Sequence, residues 1–179
     1  RGIDGYSRLL MEDYRAQLPE EAQRFLDNIR SASQRMNQLI DDLLAYSRLE
    51  RRELNASRVP LRGLIERILA EREIELTECG ARVEVEVGGL AVTADGDALT
   101  QAARNLLDNA LKYARHRSPP VIGIRAEPSD AGVVLSVADN GCGFDMKYHD
   151  RIFEIFQRLH RAEDYPGTGV GLAIVHKAA

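Results

Sequence analysis

Asn105-Leu106-Leu107-Asp108-Asn109-Ala110-Leu111-Lys112-Tyr113 is the stretch on which the reading of this 179-residue chain turns. Around it Leu99, Ala103, Leu106 and Ala110 recur at helical spacing, which predicts a helix over Asp95 to Ala114 with those four residues inward. At 100° per residue, Asn105, Asn109 and Lys112 then share one edge beside the apolar face. A carboxamide oxygen is a hard ligand suited to Mg²⁺ when phosphate oxygens and water complete the octahedron, and a lysine adds a point charge for phosphate. Taken alone, the simpler reading of this edge is a solvated helix surface.

Working outward, Val83, Val85 and Val87 alternate with Glu84 and Glu86 as in a half-buried strand, and Gly88-Gly89 turns the chain into a short strand at Leu90 to Thr93. Beyond the helix, Ser118-Pro119-Pro120 is a stop, followed by strands at Val121 to Glu127 and Gly132 to Ala138. Further helices are expected from Leu61 to about Leu76, near Ile152 to Phe156, and from about Val170. The order α-β-β-α-β-β-α-α, with hairpin-like strand pairs, predicts a mixed sheet covered on one face by helices. Ser and Pro from Asn55 to Pro60 mark a linker before this domain.

Ahead of the linker, Ala22, Phe25, Ile29, Ala32, Met36, Leu39, Leu43 and Tyr46 step by three and four, a heptad seam. Pro19, followed by Glu20 and Glu21, is a helix start, because proline tolerates the first turn and acidic side chains suit the positive end of the dipole. Ile3, Tyr6, Leu10 and Tyr14 mark a preceding helical stretch, and the short connection at Ala16 to Leu18 makes the two antiparallel. Leu26, Ile40 and Leu44 widen the apolar stripe, so the hairpin of residues 1–53 needs a partner. A symmetric dimer forming a four-helix bundle is the economical answer, and packing on the rest of the same chain is the alternative.

Two further motifs carry chemistry. Asp139-Asn140-Gly141-Cys142-Gly143-Phe144 follows a strand directly, so its carboxylate can accept a hydrogen bond from a base amine while glycines allow close backbone approach. A plain turn fits the same residues. Gly167-Thr168-Gly169-Val170-Gly171-Leu172-Ala173-Ile174 opens the last helix, where free N–H groups and the dipole suit phosphate. It lacks the strand of a dinucleotide fingerprint and the Lys-Ser/Thr of a P-loop. What remains is a glycine hinge after a polar loop, Gln157 to Pro166, able to close as a lid.

Taken in order, N-L-L-D-N-A-L-K-Y, D-N-G-C-G-F, I-F-E-I-F-Q-R-L and G-T-G-V-G-L-A-I resemble the N, G1, F and G2 boxes of the histidine-kinase branch of the GHKL ATPase superfamily. I-D-G-Y-S-R-L-L and L-I-D-D-L-L-A-Y-S-R resemble the dimerisation and histidine-phosphotransfer region, most like that of phytochrome-type kinases. The resemblance implies an α+β chain: a two-helix hairpin at 1–53, then a GHKL-type α/β sandwich that binds ATP at 54–179. It makes Asn109 the main Mg²⁺ ligand, with Asn105 assisting metal or water, Lys112 near the phosphates and Tyr113 beside the adenine. Asp139 would bind the adenine amine, with Gly141 and Gly143 admitting the base. Gly167, Thr168, Gly169, Gly171 and Leu172 would shape the hinge and phosphate contacts, and Arg158 would reach the terminal phosphate. Phe153 and Phe156 are expected to anchor the lid by packing. The implied activity is ATP-dependent protein-histidine kinase, with the phosphoryl group relayed to a response regulator receiver domain.

The sequence departs from that pattern in two places. Its histidines, His116, His149, His160 and His176, all lie in the second module, so the acceptor is expected upstream of Arg1, and the chain stops before the strands that usually complete the sheet. Both ends read as cut. A catalytically silent dimerisation and nucleotide-binding module is therefore a second reading. A GHKL ATPase is a third, disfavoured by Asn105 standing where those families carry a general-base glutamate. His149 and His160 are expected to be solvated loop residues.

Composition narrows the classes. A net charge of −4, with basic and acidic residues interspersed, lacks the basic field that nucleic-acid binding needs. Cys79 and Cys142 are too few and too far apart for a disulfide framework or metal cluster, which suits a reducing, cytoplasmic setting. No apolar run approaches the roughly 20 residues of a membrane span, so no membrane contact is expected.

Overall fold

A computed structural model describes residues 2–51, 55–130, 132–161 and 164–178. The expected domain boundary at 53 and 54 lies outside the described residues, as do residues 162 and 163 of the expected lid loop. The chain divides into two compact units, residues 1–45 and 46–179.

In the first unit, helix α1 (Gly2–Tyr14) leads through a single 3-10 turn (Arg15–Gln17) into helix α2 (Glu20–Arg51), which continues past the division. Gln23 fixes the connection, its side-chain amide donating to the carbonyls of Arg15 and Leu18 at 3.0 Å each. The helices meet through few apolar residues: Met11 is buried together with Ser7 and Ser33, and Asp4 Oδ1 lies 3.9 Å from Arg30 Nε. Most of the apolar heptad residues do not take part. Phe25 is 57% exposed, Met36 and Ile40 50% each, and Ile3, Tyr6, Leu10 and Tyr14 on α1 are exposed as well. The seam legible in the sequence thus faces outward from its own hairpin.

The second unit opens with a strand the sequence reading missed. β1 (Ala56–Pro60) occupies the expected linker and pairs antiparallel with β3 (Ala91–Asp95), Val59 opposite Val92. The expected helix from Leu61 breaks at Arg72 into α3 (Leu61–Glu71) and α4 (Glu73–Glu78). β2 (Arg82–Glu86) does not form a hairpin with β3; it lies parallel to β4 (Val121–Ser129), which pairs antiparallel with β5 (Gly132–Asp139). The result is a three-stranded mixed sheet in the order β2-β4-β5 and a separate two-stranded one. The strand pattern of β2 says which face is buried and nothing about which neighbour it takes, so the pairing was not legible. The short helix expected near Ile152 is instead two 3-10 turns, Met146–Tyr148 and Asp150–Phe153.

Helix α5 (Gly96–Ala114) lies on the inner face of the sheet because Ala103, Leu107, Ala110, Leu111 and Ala114 form a narrow buried stripe; its alanines let the backbone come close. Leu107 takes the central place there, and Leu106 turns to the cavity described below. Ile122, Ile124 and Ala126 of β4 face this stripe, with Leu61, Leu64, Ile65 and Ile68 of α3 alongside. Helix α6 (Gly171–Ala178) brings the buried pair Ala173 and Ile174. Full burial of side chains such as Leu107 and Ile122 stabilises the unit by about 1.5–3 kcal/mol each. No helix among the described residues is long and apolar enough to cross a membrane.

Candidate functional site

The site is built on α5, so what fixes α5 fixes the site. Asp95, 7% exposed, is its N-cap: Oδ1 accepts from the N–H groups of Asp97 and Ala98 at 3.0 Å, and Oδ2 from that of Asn55 at 3.1 Å. One carboxylate thus satisfies two orphan donors of the helix and ties down the entry to β1. Along the solvent side, Arg72 grips Asp108 at 2.9 and 3.0 Å and Arg104 grips Glu71 at 3.0 and 2.6 Å, clamping α3 against α5. The Arg104 contact holds the Glu71 carboxyl below its ordinary pKa.

Beside α5 opens a cavity of about 360 Å³, within the range of small-molecule sites. Asn109 and Tyr113 of α5 line it together with Asp139, Gly141 and Gly143 from the end of β5 and the loop after it, and with Arg158 and Leu172 from farther along the chain. Leu106, Val137, Ile152 and Leu159 make much of the wall apolar. Asp139 stands opposite Ile122 in the ladder, and its Oδ1 accepts from the N–H of Gly141 at 2.8 Å, which orients the carboxylate. Asn140 pins the same corner to the start of β4: its carbonyl oxygen accepts from Val121 N–H at 3.0 Å and its amide donates to Pro119 O at 3.1 Å.

Glycine is required at 141 for space. A Cβ there would lie 2.5 Å from Asp139 Oδ1 and 2.7 Å from both the carbonyl carbon and oxygen of Tyr113. At Gly169 backbone and space coincide: φ is +77°, and a Cβ would meet Gln157 O at 2.8 Å. Gly169 is not in the cavity wall; its carbonyl accepts from Phe156 N–H at 2.9 Å, clasping the glycine stretch to the segment that carries Arg158. Gly167, Thr168 and Gly171 also lie off the wall. Thr168 Oγ1 accepts from Val170 N–H at 3.4 Å as the chain enters α6.

The remaining residues of the edge stand one step back. Asn105 donates to Gln101 O at 2.9 Å, and its Oδ1 would lie 2.9 Å from a Cβ at position 171. Lys112 Nζ sits 4.4 Å from the centre of the Tyr113 ring and 3.3 Å from where a Cβ at Gly167 would be. Burial first, and the nearby Arg158 charge second, hold the Lys112 ammonium below its ordinary pKa of 10.5. Burial likewise pushes the Tyr113 hydroxyl up, keeping it neutral. Two cations held beside a half-dry cavity make a place where an anion relieves both.

Two expectations fail. His160 is not a solvated loop residue: it lines the cavity, its ring 5.4 Å from that of Tyr113 and 5.2 Å from that of Tyr165, with Nε2 3.2 Å from Gly143 O. Nothing in the local sequence marks it, because the loop that carries it has no periodicity. Phe156 does not anchor by packing; it is 56% exposed with φ at +68°, and its backbone makes the clasp. Phe153 does pack, against His149 and His176. Val137 was the legible omission, since it precedes Asp139 by two residues and so shares its face of the strand.

An amide-bearing helix edge, a strand-end carboxylate and a glycine-opened cavity thus converge in one unit. Residues 1–52 match the family described as His Kinase A (phospho-acceptor) domain, and residues 94–179 the family described as Histidine kinase-, DNA gyrase B-, and HSP90-like ATPase. The chain belongs to the sensor histidine kinases. This kinase core is 37% identical over 176 residues to the phytochrome-like protein Cph1 of Synechocystis sp., covering 98% of this chain and 23% of that protein. It is 36% identical over 162 residues to the sensor protein CreC of Escherichia coli, covering 90% of this chain and 34% of that one. The chain spans about a quarter of the length of the first curated relatives. Among solved structures, full-length ShkA in complex with AMPPNP superposes with a TM-score of 0.72 at 28% identity, over 99% of this chain and 37% of that one. The histidine kinase AdeS of Acinetobacter baumannii shares the fold, with a TM-score of 0.68 at 23% identity over 99% of this chain and 81% of that one.

Proposed function

We propose that this kinase core binds Mg-ATP in the cavity beside α5 and transfers the γ-phosphoryl group to a histidine of its own protein, for relay to the receiver domain of a response regulator. The observation that carries the reading is Asn109 and Asp139 facing one cavity, with Gly141 leaving the space a side chain would fill. The match to an ATPase family and the likeness to a kinase holding AMPPNP support it.

The residues present suit the nucleotide. Asp139 keeps acceptor capacity beyond its bond to Gly141, so it can take a hydrogen bond from an exocyclic amine. Tyr113, half-buried and neutral, offers a ring face to a base. Asn109 supplies a single amide oxygen, and the described residues hold no cluster of three or more His, Cys, Asp or Glu that would retain a metal alone. A divalent cation here would arrive with phosphate oxygens completing its shell. When bound, Mg-ATP supplies the electrophilic phosphorus and neutralises its own phosphate charge. Lys112 and Arg158 add positive charge on the phosphate side, and Leu106, Ile152 and Leu172 keep water from the walls. The exposed apolar stripe of α2 suits a second copy of the chain, giving a four-helix bundle.

No histidine lies in residues 1–52, so the acceptor in this reading is one that these 179 residues do not contain. The same observation favours the second reading, a dimerisation and nucleotide-binding module without catalysis. Calorimetric titration with Mg-ATP tests the binding both readings share: wild type is expected to bind, and Asn109→Asp, which adds an anion beside the phosphates, to lose about tenfold or more in affinity. A folded wild-type sample that binds no Mg-ATP at millimolar concentration overturns it. Mixing the chain with a longer form carrying the upstream histidine separates kinase from module, labelled phosphate on that partner being the kinase outcome.

A further inference from the structure

Cys142 sits between the two glycines of the cavity rim and is exposed. Its Sγ lies 3.6 Å from Nε2 of His160, which itself lines the cavity. The Tyr165 ring packs on both Tyr113 and His160, and the neighbouring Cys142 pushes the pKa of the Tyr165 phenol up. Both signs of charge lie around the group: Arg117 donates to Gly141 O at 2.9 Å, Arg158 to Tyr165 O at 2.8 Å and the Arg115 guanidinium lies 5.5 Å from the centre of the Tyr165 ring, while Asp139 Oδ1 accepts from Gly141 N–H and the Asp164 charge acts on Tyr165. Among the described residues Cys79 has no such neighbours. It too is exposed, and its thiol donates to the carbonyl of Leu76 at 3.5 Å.

We propose that Cys142 and His160 form a thiol-modification site through which low-molecular-weight disulfides close the cavity to nucleotide. In the tautomer that carries its proton on Nδ1, the imidazole accepts the thiol proton at Nε2. Gly143 O, 3.2 Å away, then takes a hydrogen bond from the new Nε2–H and steadies the imidazolium. The thiolate attacks one sulfur of the disulfide; that S–S bond breaks, a mixed disulfide forms at Cys142, and the departing thiolate takes a proton from the imidazolium. Cys142 is oxidised, one half of the reagent is reduced, and a thiol reductant reverses the step.

An adduct on Sγ competes with the His160 ring, whose Nε2 lies 3.6 Å from that sulfur, for its place at the cavity rim beside Gly141 and Gly143. The effect on nucleotide rests on the reading of the cavity as an ATP site; the reactivity of the thiol does not.

The two cysteines make the experiment internally controlled. The chain is pulsed with iodoacetamide at neutral pH and the label at each cysteine is followed by mass spectrometry. Cys142 is expected to react about tenfold faster than Cys79, because the thiolate is the nucleophile and, among the described residues, an imidazole stands beside Cys142 and not beside Cys79. His160→Ala, and His160→Gln, which keeps a polar side chain of similar reach, are expected to bring the two rates within about threefold. Equal rates in wild type, or a preference that survives both substitutions, overturn the proposal. Treatment with oxidised glutathione is then expected to weaken Mg-ATP binding about tenfold or more, with recovery on reduction and no effect in Cys142→Ser. A quantitative adduct at Cys142 with unchanged Mg-ATP affinity overturns the closing of the cavity. Wild type that never binds Mg-ATP sinks the ATP reading instead, and the rate comparison still decides the thiol.

Discussion

Replacing Gly141 by alanine tests the geometry of the cavity most directly. The added methyl would stand 2.7 Å from the carbonyl carbon and oxygen of Tyr113 and 2.5 Å from Asp139 Oδ1. Ordinary contacts of this kind begin near 3.5 Å, so about 0.8 Å or more must be found somewhere. Tyr113 belongs to the last turn of α5, where Ala110, Leu111 and Ala114 are buried, so the backbone cannot retreat without disturbing the core. Asp139 can swing aside, but it then gives up its bond to Gly141 N–H, a loss of about 1 kcal/mol at this exposed position. Together with the strain of overpacking, the expected loss of stability is about 1–3 kcal/mol, read as a lower urea midpoint at unchanged slope. Because either escape moves Asp139 or Tyr113 out of place, nucleotide affinity should fall by about tenfold or more, equivalent to about 1.4 kcal/mol. Gly123→Ala is the control, since nothing lies within 4 Å of a Cβ there. If Gly141→Ala matched wild type in both midpoint and affinity, the corner would not be as tight as described and the reasoning would fail.

Asp95→Ala removes the cap of α5 and the anchor of Asn55 together, with an expected cost of about 2 kcal/mol in urea unfolding; Asp95→Asn should recover most of it, and a neutral alanine variant would contradict the capping role. For Lys112 the sign matters. Its lowered pKa means the ammonium is held at a cost to the fold below that pKa, a cost that disappears above the ordinary 10.5, whereas a bound phosphate favours the ammonium. Nucleotide affinity should therefore be full below the lowered pKa and decline as pH rises from there toward 10.5, and Lys112→Met should abolish the decline; identical profiles would remove the lysine from the phosphate side. Ile40→Asp places a charge on the exposed stripe of α2 without touching the hairpin's own contacts, so sedimentation should show dimer giving way to monomer with helicity retained.

The readable parts of the fold are those in which neighbours in sequence are neighbours in space. The extent of α5, the start of α2 after Pro19 and the β4–β5 hairpin follow from helical period, proline geometry and short connection, whereas the buried stripe of α5 takes Leu107 where Leu106 was expected. β1 was illegible because Ala-Ser-Arg-Val-Pro has little apolar alternation, and its partner β3 lies some thirty residues on. The site divides in the same way. Asn109 and Tyr113 share an edge by helix geometry alone, but that Arg158 and His160 come round to the same cavity is settled by packing of an aperiodic loop.

What the sequence determines by itself, then, is local: which residues make helices, which helix edge carries amides, and which turn carries a carboxylate between glycines. Tertiary structure decided that β2 lies parallel to β4 and not against β3, that the apolar heptad residues face away from their own hairpin, and that His160 reaches Cys142. Each of those depends on surfaces meeting across long stretches of chain, where the free energy comes from mutual burial and no single segment holds the information.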